Sequence, residues 1–348
     1  MKLSWPDFLY PLTPKFSWIQ VEVTSFCNAS CLYCPQTVYR DLWQRRHLPL
    51  SAFQKLLPAL ARSRLTHLQG WGEPFLHPDF FTMLALAKKS GSRVGTTTNG
   101  MLLDPEKIDL LVETGLDVIA FSLAGLGDTN DGVRRGTSFS QVLEAIERLN
   151  RAKARAGSDR PQINIAYMLL RSGLGELENL PRALEGLGIA EVVVSTLDFV
   201  AARELEAESL PGAGPQEYDE LCGRLENLAA TGGRQGLNIS YQLRPPAGRG
   251  LLCPEEVQRA LVVSADGGVS PCVFTNLPVS GASYLGQGGE VPYRRWFFGN
   301  INEQPLRAIW RQPAYANFRR SFYPGQLTLP CRHCRKLYYS ERKTNCPF

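Results

Sequence analysis

"WIQVEVTSFCNASCLYC", residues 18–34, holds an alternating run of large and β-branched residues up to Thr24 and then three cysteines, at 27, 31 and 34. The run predicts a strand, and thiols directly behind the C-terminal end of a strand lie where parallel α/β folds carry their working residues. Seven residue steps separate Cys27 from Cys34, so this loop spans at most roughly 25 Å and has to wrap around whatever it holds. Three thiolates are one short of the four ligands of a structural metal site. On a 4Fe-4S cluster they leave one iron open to a small molecule, and on zinc His47 offers itself as a fourth ligand.

Outward from this stretch, β-rich runs alternate with segments of helical period up to about residue 200. The further strand candidates are "LTHLQG", "RVGTTT", "DVIAFSL", "QINIAYMLL" and "AEVVVSTLDF". Between them lie helix candidates such as "SAFQKLLPALA", "DFFTMLALAKKS", "DPEKIDLLVETG" and "FSQVLEAIERLNRAKA". Asp104 followed by Pro105 starts a helix, and Gly115 ends it. This alternation predicts an α/β fold of parallel strands joined by crossover helices. Six units are too few for a closed eight-stranded barrel, so the expectation is a partial (β/α)6 TIM-like barrel working at its strand C-terminal ends. The expected boundaries are an N-terminal extension at 1–16, the barrel at 17–215, a connecting helix and linker at 216–250, and a small domain at 251–348. In that last part "ALVVSADGGVSPC" reads as a β-hairpin returning into Cys272.

The 348 residues are 44% hydrophobic and 20% charged, an ordinary globular composition. No window reaches the apolar length of a membrane span, and "MKLSWPDFLYPLTPKF" lacks the apolar block of a signal peptide, so a cytoplasmic location without a membrane partner is expected. The net charge of +5 is mild and its cations are scattered, which implies no nucleic-acid partner. Nine cysteines, at 27, 31, 34, 222, 253, 272, 331, 334 and 346, are in such a setting metal ligands or reactive groups sooner than disulfides.

C-x-x-x-C-x-x-C with Tyr33 before the last cysteine, behind the first strand of a βα series, resembles the signature of the radical S-adenosylmethionine (radical SAM) superfamily. The resemblance covers roughly residues 18–200. It implies that a 4Fe-4S cluster on Cys27, Cys31 and Cys34 binds SAM at its open iron, and that one electron cleaves SAM to an adenosyl radical that abstracts hydrogen. "GWGEP" resembles the family's Gly-Gly-Glu-Pro element, which implies SAM contacts for Gly70, Gly72, Glu73 and Pro74; the inserted Trp71 is expected to turn its indole to the pocket. Asn99 in "TTTNG" and Ser122 in "FSLAG" match positions that contact SAM, whereas Ala124 stands where related proteins carry a polar residue. "NDGVRRG" resembles the stretch whose arginine meets the SAM carboxylate, with Arg134 preferred over Arg135. Tyr33 and Leu197 join the expected cofactor contacts, and Tyr167, Met168 and Asp198 end strands that line the pocket. Taken singly, each of these is equally an ordinary loop residue at a barrel mouth; their order behind the cysteines carries the resemblance.

Cys253, then Cys272 behind Gly267, then "CRHC" with Cys331 and Cys334 resemble the C-terminal extension called SPASM in its full form and twitch in its shortened form. The full form uses seven cysteines and this region has five, which implies one auxiliary 4Fe-4S cluster on Cys253, Cys272, Cys331 and Cys334, with Cys346 spare or a substitute. The same spacing suits a structural zinc ribbon. The basic residues around the pair, Arg332, His333, Arg335 and Lys336, either offset an anionic cluster or form a solvated surface. Cys222 falls in a helical pattern and reads as a packed thiol; His67 and His77 read as packing or capping residues. The expectation is an oxidative modification, dehydrogenation or bond formation, of a small molecule or peptide. The auxiliary cluster relays an electron, and a flavodoxin- or ferredoxin-like partner supplies reductant. A redox-neutral epimerase or mutase and a non-catalytic iron-sulfur scaffold are the competing readings.

Overall fold

The computed structural model describes residues 15–211, 214–243, 253–286, 288–322 and 326–337. All six expected strands form: β1 (Phe16–Val21), β2 (Ser63–Leu68), β3 (Arg93–Thr98), β4 (Val118–Leu123), β5 (Gln162–Leu169) and β6 (Glu191–Thr196). Each pairs in parallel with the next. The sheet then goes further than six strands. β7 (Asn238–Tyr241) adds in parallel to β6, and β8 (Ala260–Val263) adds in parallel to the other side of β1, followed by antiparallel β9 (Val269–Ser270). The nine strands run β9-β8-β1-β2-β3-β4-β5-β6-β7. "NISY" and "ALVV" escape a strand count because four residues carry too little alternation to stand out; their partners, not their own pattern, make them strands.

Crossover helices cover the outside: α1 (Phe80–Lys89), α2 (Pro105–Glu113), α3 (Phe139–Arg155) and α4 (Pro215–Arg234). Asp104 caps α2 by accepting a hydrogen bond from the Lys107 amide at 2.8 Å, and Gly115 leaves that helix in the left-handed region at φ 73°. "SAFQKLLPALA" divides into two short helices, Leu50–Gln54 and Leu57–Leu60, because Pro58 has no amide proton to continue the first. In α3, Val142, Ala145, Ile146, Leu149 and Ala152 form the buried stripe at helical spacing.

Strand alternation gives the barrel its two faces. In β5, Ile163, Ile165, Tyr167 and Leu169 are buried, while Asn164, Ala166 and Met168 on the opposite face are only half-buried. Of the residues expected to line the pocket, Met168 packs beside Leu197, whereas Asp198 pairs with Lys336 and does line a cavity.

Beyond β9 come a second hairpin, β10 (Ser283–Gly286) and β11 (Gly289–Pro292), and two helices, α5 (Leu306–Arg311) and α6 (Pro313–Arg320). Phe298 stacks on Tyr315 with ring centres 4.1 Å apart, and Trp310 meets Phe16 of β1 edge-on at 4.9 Å. The hairpin expected at "ALVVSADGGVSPC" is present with Val262 opposite Ser270 and Gly267 at φ 87°, but its first arm belongs to the main sheet. Cys346 lies outside the described residues. Among the described residues no helix is long and apolar enough to cross a membrane.

Candidate active site

Cys27, Cys31 and Cys34 sit half-buried in the loop behind β1. Two ties fix that loop. Ser30–Cys31 pairs antiparallel with Arg134–Arg135, with Cys31 opposite Arg134, and the Leu32 amide donates to the Val133 carbonyl at 2.9 Å. Cys34 heads a short helix, Pro35–Val38. The Ala29 amide donates to Cys27 Sγ at 3.4 Å, and the amides of Gln36 and Thr37 are directed at Cys34. Burial pushes the Cys27 thiol up to about 11 and the Cys34 thiol to about 12. Thiols so buried ionise only against a cationic partner, which cluster iron supplies. The donor set therefore suits a cluster carried on three thiolates.

Arg134 is buried, at 6% exposure, beside these cysteines. Its Nη1 donates to the Tyr33 hydroxyl at 2.5 Å, while its Nε has no hydrogen-bond partner. An orphaned guanidinium N–H of this kind suits a carboxylate. Arg135, its rival, is exposed.

The "GWGEP" element is held from three sides. At Gly72 a Cβ would fall 2.4 Å from the Thr24 carbonyl oxygen and 2.5 Å from that of Phe26, so only glycine fits against the cysteine loop. Glu73, 2% exposed, accepts hydrogen bonds from the Thr98 hydroxyl at 2.8 Å and from the amides of Asn99 at 2.7 Å and Phe75 at 3.4 Å; burial lifts its carboxyl to about 7. Pro74 opens the short turn that follows. Asn99 donates to the Asn28 side chain at 2.8 Å, tying the end of β3 to the cysteine loop. Ser122 is half-buried at the end of β4. Where Ala124 offers no polar side chain, its amide donates to Asn130 Oδ1 at 3.0 Å.

One expectation needs correction. The Trp71 indole does not face a pocket: it packs edge-on to Trp43 and beside Phe274, and its Nε1 donates to the Val273 carbonyl at 3.4 Å. The reason is the apolar cluster of Tyr39, Trp43, Phe199, Leu277 and Tyr293, which offers the ring more buried contact than a polar pocket would. Leu197, expected among the cofactor contacts, sits in a satellite apolar cluster with Leu170, Val200 and Leu285, against which Tyr33 and Met168 also pack. His47 stacks on Phe26 and abuts His77, while His77 bonds the Leu48 carbonyl and the Asp79 amide, as packing residues do.

Sequence reasoning missed Glu22. It is buried directly behind β1, its carboxyl lifted by burial to about 7, and it accepts from the Trp71 and Ala265 amides at 3.0 Å each. One carboxylate thus joins "GWGEP" to the C-terminal hairpin. A charged residue directly behind an apolar strand was the available signal. Glu22 also explains Gly70, where a Cβ would fall 2.3 Å from the Glu22 side chain.

The second cysteine set is gathered as well. Cys253, Cys272, Cys331 and Cys334 line one cavity of about 990 Å³, with Lys336 bridging Glu255 at 2.5 Å and Asp198 at 3.8 Å on its wall. Burial raises all four thiols, Cys272 to about 12 and Cys334 to about 11, and the Lys336 amide donates to Cys334 Sγ at 3.4 Å. Among the described residues no three His, Cys, Asp or Glu side chains close on a single-ion centre. Four thiols around a cavity of this size suit a cluster.

Sequence comparison agrees with this geometry. The radical SAM superfamily model matches residues 21–168, and the SPASM iron-sulfur cluster-binding domain model matches residues 253–335. The chain carries a radical SAM domain and a C-terminal SPASM domain. It is a radical SAM enzyme that binds SAM and a 4Fe-4S cluster in its barrel and auxiliary iron-sulfur in its C-terminal domain.

Among particular relatives, it is 26% identical to the tungsten-containing aldehyde ferredoxin oxidoreductase cofactor-modifying protein of Pyrococcus furiosus, over 87% of this chain and 83% of that one. It is 25% identical to the mycofactocin maturase of Mycobacterium ulcerans, over 74% of each. Its fold is similar to that of Streptococcus suis SuiB bound to S-adenosylmethionine, with a TM-score of 0.68 at 12% identity, covering 95% of this chain and 77% of that one. Native anSMEcpe with bound AdoMet gives a TM-score of 0.66 at 17% identity, covering 91% and 88%.

Proposed function

We propose that this chain is a cytoplasmic maturase that oxidatively modifies a peptide or a peptide- or cofactor-derived small molecule. The observation that carries this reading is that β1 and β8 are hydrogen-bonded neighbours. Cys27, Cys31 and Cys34 follow β1, while Cys253 precedes β8 and Cys272 follows β9, so one piece of sheet holds both thiol sets. When bound, the two clusters and SAM supply an adenosyl radical that takes a hydrogen atom from substrate and an acceptor for the electron left behind.

The protein's own residues orient and exclude. Arg134 receives the SAM carboxylate through its Nε, and Tyr33 holds the guanidinium in place. Gly70, Gly72, Glu73, Pro74, Asn99, Ser122 and Leu197 shape the SAM pocket. Cys253, Cys272, Cys331 and Cys334 fill the coordination of one auxiliary 4Fe-4S cluster, so that it carries electrons and leaves substrate to the barrel. A flavodoxin- or ferredoxin-like protein delivers the reducing electron. Support for the substrate class comes from the relatives: two are named for modifying a cofactor or maturing mycofactocin, and SuiB has a structure bound to precursor peptide SuiA.

Iron analysis and EPR of anaerobically reconstituted protein test this. About eight irons per chain are expected, about four in a Cys27/Cys31/Cys34→Ala variant, and a SAM-dependent signal change in the parent alone. No response to SAM, or 5′-deoxyadenosine formed without any oxidised product across peptide and cofactor candidates, would sink the proposal.

A further inference from the structure

Three cavities adjoin one another, joined by lining residues they share. The lumen, about 260 Å³, is lined by polar side chains of four strands or strand ends, including Gln20, His67, Gln69, Ser195 and Ser240. It shares Asp198, Glu255 and Lys336 with the cysteine-lined cavity, and Ser17, Arg64 and Glu256 with a third of about 480 Å³. That third cavity opens where β8, β1 and β2 begin, on the face opposite the cysteine loop. Lys15, Arg62, Arg64 and Arg259 line it against one carboxylate, Glu256.

Buried polar atoms mark the same cavities. His67 Nδ1 and Gln69 Oε1 in the lumen, and Glu256 Oε2 at its lower wall, have no hydrogen-bond partner. A buried polar atom without a hydrogen bond is costly, so a guest that hydrogen-bonds is favoured there and an apolar one is not. Charge sets the direction of the guest. The upper wall carries the carboxylates of Asp198 and Glu255 beside Lys336, while the lower mouth carries four cations. An anionic head is drawn to the lower end and repelled by the upper one.

We propose that the barrel lumen is a ligand passage for a small anionic molecule: a phosphate or carboxylate head docks at the basic mouth around Arg64 and Arg259, and a neutral, hydrogen-bonding body lies along His67 and Gln69 toward the auxiliary site. As a route for substrate this rests on the function proposed above; as a binding site it does not.

The test is calorimetric titration of the cluster-loaded full chain with glycerol 3-phosphate, glycerate and glycerol. At least one anion is expected to bind about tenfold or more tightly than glycerol, and which one identifies the head. An Arg64→Ala/Arg259→Ala variant brings that anion to the level of glycerol, and Gln69→Leu weakens every probe that binds. Both variants are first matched to the parent in iron content. Equal affinity for the three probes, or an anion affinity untouched by the double arginine variant, overturns the passage. SAM cleavage by the same parent preparation separates the two ideas. Cleavage without anion binding removes the passage alone, and anion binding without cleavage removes the proposed function alone.

Discussion

Gly72→Ala is the sharpest probe of how the barrel holds its cysteine loop. The added carbon would lie 2.4 Å from the Thr24 carbonyl oxygen, 2.5 Å from that of Phe26 and 2.9 Å from the Thr24 carbonyl carbon. All three are backbone, so no rotamer change relieves the contact and the loop itself has to move. Overpacking of this kind costs about 1–3 kcal/mol, and the rigidity of both partners places Gly72 at the upper end. The displaced residue, Phe26, is the one before Cys27 and also accepts the Glu73 amide at 2.8 Å, so the damage falls on the first cluster. Anaerobic iron analysis beside thermal unfolding reads both effects: about four irons retained in place of about eight, with a lowered melting point. Gly70→Ala is the control, because its new carbon meets the Glu22 side chain and loosens the C-terminal hairpin before the cysteine loop. A Gly72→Ala protein with full iron and parental stability would show that the close approach is not what positions the cysteines.

Arg134→Lys keeps the charge but loses the Nε arm, and a fall of about tenfold or more in SAM affinity with unchanged iron is expected, against less than about twofold for Arg135→Lys; equilibrium dialysis with labelled SAM decides between them. Trp71→Phe removes the bond to the Val273 carbonyl while keeping most of the ring packing, and a loss of about 1 kcal/mol is expected in anaerobic denaturant unfolding. Burial holds His67 down at about 4, below its unfolded value near 6.5, so its contribution to stability is full above pH 6.5 and is lost as pH falls toward 4. The melting-point gap between parent and His67→Gln should therefore narrow between pH 7 and pH 5, and a constant gap would contradict the burial. Cys222→Ala should leave iron content unchanged, since that thiol packs against the barrel core from α4.

The barrel strands were legible because each combines β-branched residues with a turn signal and is followed by a helical period. The cysteine spacing was legible because it is local. What the sequence hid is long-range. Glu22 shows only as one acid in an apolar run, and its two partners lie 49 and 243 positions away. Trp71 looked like a pocket residue because its neighbours in sequence are; its neighbours in space, Trp43 and Phe274, come from elsewhere in the chain. β7 and β8 are too short to announce themselves, and they become strands by completing the hydrogen bonding of β6 and β1.

That last pairing has a mechanical side. Because β8 continues the same ladder that β1 shares with β2, the C-terminal domain cannot swing on a linker as a separate body; its bearing on the barrel is set by backbone hydrogen bonds. The spacing of the two thiol sets is thereby set at folding by the sheet that carries both. Cutting the chain before β8 would also bare the edge of β1, whose Phe16, Ile19 and Val21 are buried, and leave an apolar strand open to pairing with another molecule. The barrel alone is thus expected to aggregate when expressed without the strand that closes its edge.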